Sequence, residues 1–513
     1  MTKILTIVVF FVFGLTVTTQ AQLTPKDAVK GMARGINIGN TMEPPNGEGT
    51  WGNPPVKERA FYDYKNAGFT AVRIPITWDG HTSKTPPYTI DSTWLNRVEQ
   101  VVNWGLQQGL FIIIDAHHED WIKEWYSDST VARFDSIWSQ IATRFRNKSD
   151  SLIFEILNEP YPMSKQNVNS LNAQVLKIIR KTNPTRIVSY SGYMWSNSNQ
   201  LDSAAIPDSS DKYLIGYYHS YDPYPFGLIG TGTYGSASDI AATKAKFDQV
   251  TAWSVKNNIP VILDEFGYQK KCDYNSRMCA YATVMDQALR HGVGAFAWDD
   301  GGDFPIYNRD TGGFNEIKDI LIYTYPNSPN GLKISQINNN SIKLQWQNRN
   351  TESDSITVQR GLTDSTFADF AKVSPDSTEF IDTSVNQGSS YYYRLKIIMK
   401  DSTEIQSYPV MLNTAATAID QFVTTPQQFE LFNNYPNPFN PTTEISFSLP
   451  NTEKVTLKVY NLLGQEVAFL INQEMSAGKH SIKFDATHLP SGVYIYQLTA
   501  GSFFSNKKMM VLK

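Results

Sequence analysis

The segment SLIFEILNEP, residues 151–160, is a run of Leu, Ile and Phe that stops at Asn158, Glu159 and Pro160. So apolar a run suits a strand covered on both faces, as in a parallel sheet packed beneath helices. Seven further runs share its form: 33–40 (ARGINIGN), 69–76 (FTAVRIPI), 110–117 (LFIIIDAH), 186–191 (RIVSYS), 214–221 (LIGYYHSY), 260–266 (PVILDEF) and 294–299 (GAFAWD). Stretches of helical period separate them. In 91–108, Leu95, Val98, Val101, Val102 and Leu106 fall on one face; 168–181, 239–257 and 276–290 read likewise. Eight strand-helix units in about 290 residues is the arithmetic of an α/β fold, the (β/α)8 TIM barrel.

Length and composition narrow the classes. At roughly 150 residues per domain, 513 residues make about three units, or one large barrel with two small attachments. A hydrophobic content of 41% supports buried cores, while 18% charged residues and a net charge of −4 exclude a disordered acidic chain and a basic nucleic-acid binder. Two cysteines exclude a disulfide-rich scaffold and a four-thiolate zinc site. An apolar run from Ile4 to Val17, ahead of Thr19-Gln20-Ala21, reads as a secretory signal peptide over 1–21, cleaved before Gln22.

Composition shifts near residue 326. Ten of the 11 Trp and five of the 7 His precede it, so the chemistry is expected within 22–325. Beyond it, 326–412 carries short strand-like runs at 341–347, 355–360, 379–382 and 391–398, the spacing of a small β-sandwich. A Thr/Ala/Gln-rich linker follows over 413–428, and 429–513 is again β-rich. Two small all-β sandwich domains are therefore expected after the barrel.

In a parallel barrel the site is built at the C-terminal ends of the strands. The first run ends in Asn40, followed by Glu43; the second carries Arg73; the third ends in His117 and His118. The fourth ends in Asn158 and Glu159, the sixth in His219 and Tyr221, the seventh in Glu265 and the eighth in Trp298. Glu159 and Glu265 close strands that face each other across a barrel mouth. Paired carboxylates so placed suit glycosidic-bond hydrolysis, in which one acid protonates the leaving oxygen and one carboxylate attacks the anomeric carbon or activates water. The two must differ in proton affinity. Arg73 and the Tyr221 hydroxyl can hold one ionised, while burial or the partner's charge raises the other.

The segments RIPITW (73–78), IIDAHH (113–118), FEILNEP (154–160), HSYDPY (219–224), ILDEFG (262–267) and FAWDDGG (296–302) carry a resemblance over 31–325 to the catalytic domain of glycoside hydrolase family 5. The resemblance implies hydrolysis of β-glycans with retention, Glu159 as acid/base and Glu265 as nucleophile. It implies Arg73 and Tyr221 as partners of the nucleophile, His219 as neighbour of the acid/base, Asn158 and His117 as sugar contacts, and Trp298 as the platform under the reactive sugar. The opening segment ARGINIGNTMEPPNGEGTWG (33–52) is similar to a subfamily that cleaves both β-1,4-glucans and β-1,4-mannans, which implies Asn40, Glu43 and His118 in a glycone-side subsite. The family needs no metal or other cofactor, and its carboxyl groups are expected roughly 5–5.5 Å apart. One residue departs from its pattern. Asp264 stands where Gly is usual, and strand alternation should turn it away from the face that Glu265 uses, with its charge raising the pKa of Glu265.

Other readings of the same region stay open. Asp115, His117, His118 and Glu119 could suggest a metal site, but only His219 could join them from another strand. Trp51, Trp78, Trp121, Trp125 and Trp195 fall in or near loops, where sugar stacking and ordinary packing weigh equally, whereas Trp104, Trp138 and Trp253 sit at helical spacing and should pack. Cys272 and Cys279 are a candidate disulfide. On one continuous helix they would stand about 10.5 Å apart, beyond the roughly 7 Å limit for a bridge, so pairing requires Cys272 in the loop before the helix.

Trp346 and the Tyr391, Tyr393, Arg394 run resemble fibronectin type III modules. YPNPFNPTT (435–443), VYNLLGQEV (459–467), AGKHSIKFDATHLPSGVYIYQL (477–498) and KKMMVLK (507–513) are similar to the type A C-terminal sorting domain of type IX secretion, which implies export and then removal or surface attachment. The whole reads as a secreted retaining endo-β-1,4-glucanase. A β-mannanase or dual enzyme is the second reading, and a non-catalytic glycan-binding surface protein the alternative of another class. The expected partners are β-1,4-linked polysaccharide and the type IX machinery, with no nucleic acid, and the chain is expected to be a monomer.

Overall fold

The computed structural model describes residues 22–349, 353–414 and 428–512; the signal expected over 1–21 and most of the linker expected over 413–428 lie outside the described residues. Eight parallel strands close a barrel in chain order. They are β1 (Arg34–Asn37), β2 (Ala71–Ile74), β3 (Phe111–Ile114), β4 (Leu152–Glu155), β5 (Val188–Tyr190), β6 (Leu214–Ser220), β7 (Val261–Phe266) and β8 (Gly294–Ala297). Each lies inside one of the apolar runs. The helices Ser92–Gln107, Lys165–Arg180, Ala237–Asn257 and Tyr274–His291 cover the outside. Asp91, Ser164, Ser236 and Asp273 cap them by accepting backbone N–H groups of the first turn, which fixes where each begins.

Strand alternation sorts the barrel into two surfaces. Val72, Ile112, Phe154, Val188, Leu214 and Leu263 point outward into the helix layer. Ala71, Ile113, Ile153, Ile215, Ile262 and Phe296 point inward and fill the lower barrel, which Ala28, Val29 and Met32 of the N-terminal helix (Pro25–Gly31) and its cap close from below. One layer higher the inward positions turn polar, with Asn37, Arg73, Glu155 and Asp264 all buried. The site therefore rests on a dry apolar floor.

Strand β7 breaks the alternation. Tyr218 pairs with Leu263, but the next residue, His219, pairs with Glu265, so Asp264 is an extra residue opposite a single step of β6. A bulge of this kind turns two successive side chains to one side. The expected separation of Asp264 from Glu265 is thus overturned. Asp264 follows the inward phase set by Ile262, and the bulge brings Glu265 in beside it.

Residues 330–413 form two antiparallel sheets. One has the order β13 (Glu379–Asp382), β10 (Ser341–Gln347), β9 (Asn330–Asn338); the other runs β12 (Ala368–Val373), β11 (Ser353–Gly361), β14 (Ser390–Met399), β15 (Glu404–Gln406), with β16 (Val410–Asn413) also paired to β14. Their apolar core, which includes Leu332, Trp346 and Tyr408, is continuous with that of the barrel. The C-terminal unit is a separate compact body with its own core around Phe447, Leu457, Tyr496 and Leu498, between a three-stranded and a four-stranded sheet.

Candidate active site

Arg73 is the centre of the polar layer. Its guanidinium, with no exposed surface, donates Nε to Glu155 Oε2 (3.0 Å) and Nη2 to Glu155 Oε1 (2.6 Å), Asp115 Oδ2 (2.9 Å) and Asn158 Oδ1 (2.9 Å). Nη1 reaches Asn37 Oδ1 (3.2 Å) and Glu265 Oε1 (2.6 Å). Burial works against the cation, and Glu155, Asp115, Glu265 and Asp264 together raise its pKa well above the ordinary value. It is therefore a permanent charge, held in one geometry by its planar fork.

Glu265 takes a second donor from Tyr221, whose hydroxyl lies 2.8 Å from Oε2. Burial and the facing carboxylates raise the Tyr221 phenol well above its ordinary value, so it stays a donor. Opposite stands Glu159, in the left-handed backbone region (φ 41°), with its side chain 30% exposed to the cleft. One of its carboxylate oxygens lies within 4.8 Å of one of Glu265. His219 sits between them, with Nδ1 2.9 Å from Glu159 Oε1 and 3.4 Å from Glu265 Oε2. Burial raises Glu159, but the hydrogen bond and charge of His219 carry it below the usual carboxylate range. Burial, Glu159 and Asp264 hold Glu265 above that range against the pull of His219 and Arg73, whose single charge is shared among four carboxylates. In the free site the proton affinities thus run opposite to the order expected from Arg73 and Tyr221, because His219 favours the charged form of Glu159, and Glu159 must take up a proton before it can act as the acid.

His117 and Asn158 form the next link. Arg73 fixes the Asn158 carbonyl, so its amide Nδ2 faces His117 Nε2 at 3.3 Å, while His117 Nδ1 lies 2.6 Å from Asp115. Burial and the nearby charges of His118, Arg73 and Lys123 push His117 well below its ordinary pKa. The ring is neutral, with Nδ1–H on Asp115 and Nε2 as acceptor. The Asp115 and Glu119 oxygens are already taken, by Arg73, His117 and the Ile76 N–H in one case and by the Trp78 N–H and Trp121 Nε1 in the other. The two carboxylates of the candidate metal cluster thus serve the scaffold instead.

A cleft of about 880 Å³ opens above this layer. Asn40, Glu43, His117, His118, Asn158 and Trp298 all line it. Trp298 stacks parallel to His117 at 6.2 Å and lies flat on Gly39, where an added Cβ would come within 2.6 Å of the indole. Glu43 has no exposed surface and accepts the backbone N–H groups of Asn40 and Thr41. Trp51, 48% exposed, also lines it and meets His118 edge-on. Trp195 stacks on Tyr161 at 3.7 Å, both exposed to the cleft.

Residues 34–303 match the family described as Cellulase (glycosyl hydrolase family 5). The chain belongs to glycosyl hydrolase family 5. Endoglucanase H of Acetivibrio thermocellus is 46% identical over 312 residues, 59% of this chain and 34% of that one, so the chain spans about a third of that relative's length. Thermotoga maritima Cel5A, solved with cellobiose and with mannotriose, is 30% identical, with a TM-score of 0.56 over 58% of this chain and all of its own. A tri-modular subfamily 4 endo-β-1,4-glucanase from Bacillus licheniformis shares the fold over 95% of this chain (24% identity, TM-score 0.64). Residues 433–512 match the secretion system C-terminal sorting domain, which marks this family 5 chain as an exported, surface-attached protein of the type IX route. Among the described residues no helix is long and apolar enough to cross a membrane.

Several readings change against this family 5 site. Cys272 does lie in the loop before the helix, yet both thiols are free: Cys272 Sγ donates to Phe226 O (3.1 Å), while Cys279, two turns further on, faces Thr283. Of the loop tryptophans, Trp78 is fully buried with its indole N–H on Asp115 O, Trp121 is covered by Arg133, and Trp125, 72% exposed, is not on the cleft. Trp138 and Trp253 are core and Trp104 lies half-buried under Arg97. Asp115, read from the sequence as a candidate metal donor, instead holds Arg73, as do Glu155 and Asn37, which were not singled out from the sequence, nor was Tyr161, which holds Trp195. A charged residue inside the apolar run LIFE was the available signal for Glu155.

Proposed function

We propose that this chain is a secreted, retaining endo-β-1,4-glucanase acting on plant cell-wall glucan. The observation that carries the reading is the pair of carboxylates within 4.8 Å across an open cleft. That short spacing suits double displacement, since the longer inverting separation exists to admit a water. Glu265, held by Arg73 and Tyr221, attacks the anomeric carbon; Glu159 gives its proton to the leaving oxygen and later takes one from the incoming water. Asn158, oriented by Arg73, keeps an amide hydrogen free for the sugar, and Trp298 offers an apolar face beneath it. The cleft is open and carries the exposed rings of Trp51, Tyr161 and Trp195, which supports binding of a longer chain and hence internal cleavage. The endoglucanase relatives support glucan as substrate.

Glu265→Gln should fold and still bind cellooligosaccharides, while release of reducing ends from carboxymethylcellulose falls by about 10⁴-fold or more, the scale expected on losing a covalent nucleophile. Full activity in that variant would overturn the mechanism. An inactive wild-type chain that binds glycan would instead favour a non-catalytic binding protein. The mannotriose complex of Thermotoga maritima Cel5A supports a second reading, dual glucan and mannan hydrolysis with Asn40, Glu43 and His118 in the glycone subsite. Rates on barley β-glucan, glucomannan and mannan separate the two.

A further inference from the structure

The carboxylate that the bulge turns inward has no task in the chemistry above. Asp264 is fully buried, and neither of its oxygens accepts an aligned hydrogen bond among the described residues. It faces Arg73 from β2 (Nε to Oδ2 3.8 Å), Glu155 from β4, Tyr217, Tyr218 and His219 from β6, and Glu265 beside it on β7; β1 contributes only the neutral amide of Asn37, on its backbone carbonyl. Arg73 is already committed to Glu155, Asp115 and Glu265. The cation left to answer Asp264 is His219, whose Nε2 lies 3.2 Å from Oδ1 and has no other acceptor. The imidazole thus has Asp264 on one nitrogen and Glu159 and Glu265 on the other.

We propose that Asp264 is a positioning residue that keeps a proton on Nε2 of His219, holding the ring doubly protonated against the catalytic carboxylates and so limiting the alkaline range in which Glu159 retains its acid proton. The proposal rests on Glu159 being the acid. The charges point the same way. Against burial, Glu265 and Asp264 raise His219 well above its ordinary value, and His219 in turn carries Glu159 down. Burial and Glu155 raise Asp264 itself, against the pull of His219 and Arg73.

The test uses the full chain and two readouts. In ¹⁵N-histidine spectra, with the His219 signals assigned by their loss in His219→Gln, the wild-type ring should carry both protons from pH 5 to 7.5. In Asp264→Asn it should lose one within that range. The alkaline limb of kcat/KM on a soluble β-glucan should rise in Asp264→Asn by about half a pH unit or more, roughly a threefold gain in relative rate above the limb. Asp264→Glu should keep the wild-type limb, and Asp264→Gly should shift it as Asn does, which covers the case in which Asn does not fold. A limb that stays or falls in both the Asn and Gly variants, or a wild-type ring with one proton at pH 6, overturns the proposal. Activity in Glu159→Gln would instead overturn the assignment of the acid, while the ring titration, which needs no substrate, still decides where the proton sits.

Discussion

Glu43 shows at the scale of one residue how a cleft of this kind trades stability for a buried charge. Its side chain has no exposed surface, and burial raises its pKa from 4.5 to about 7 against the hydrogen bonds of Thr41 and Asn40. A carboxylate raised in the fold is protonated in the folded chain while the unfolded chain has already ionised. Its contribution is therefore whole below pH 4.5 and is lost as the pH rises towards 7. Glu43→Gln removes that dependence. Wild-type stability relative to the variant should decline from pH 4.5 to 7 by on the order of 3 kcal/mol, read as the difference between their Tm curves; parallel curves would show that Glu43 does not titrate in that window.

At the scale of elements, Met194, Trp195 and Ser196 all occupy the left-handed backbone region, at φ 57°, 54° and 54°. Three successive non-glycine residues there cost conformational energy, and the segment presents Trp195 flat against Tyr161 at the cleft wall. A stacked platform is worth about 0.5–1.5 kcal/mol beyond the area it covers. Trp195→Ala should raise KM for long cellooligosaccharides by roughly 2- to 10-fold with kcat little changed, and leave short substrates unaffected; a loss confined to kcat would argue against a platform. This loop marks the limit of what could be read in advance. The eight strands were legible because covered parallel strands must be apolar over their whole length, and polar groups at their ends then stand out. Loop tryptophans were not: Trp78 and Trp195 differ by where the loop carries the ring, which no local pattern encodes. The bulge escaped because alternation assumes one residue per step, and VILDEF gives no sign that Asp264 is the extra one.

Across the whole molecule, the barrel and the sandwich that follows it share one apolar core, reinforced by polar contacts. Asn275 and Met411 exchange two hydrogen bonds (3.0 and 2.7 Å), Arg394 pairs with Asp319, Arg349 pairs with Asp286, and Tyr274 meets Tyr392 edge-on. A chain ending at residue 325 would expose Tyr274 and the apolar flank around Cys279. It should unfold at a Tm lower by about 5 °C or more, at roughly 2–4 °C per kcal/mol. A chain ending at residue 414 should match the full protein in Tm of the barrel transition and in specific activity. Equal Tm for both truncations would show that the sandwich is only a spacer. The helix that plugs the barrel floor has a practical consequence of its own. It places Leu23 on the face opposite the cleft, so a linker joined at Gln22 could anchor the enzyme to a bead or a scaffold with its mouth turned outward, free to meet an insoluble fibre.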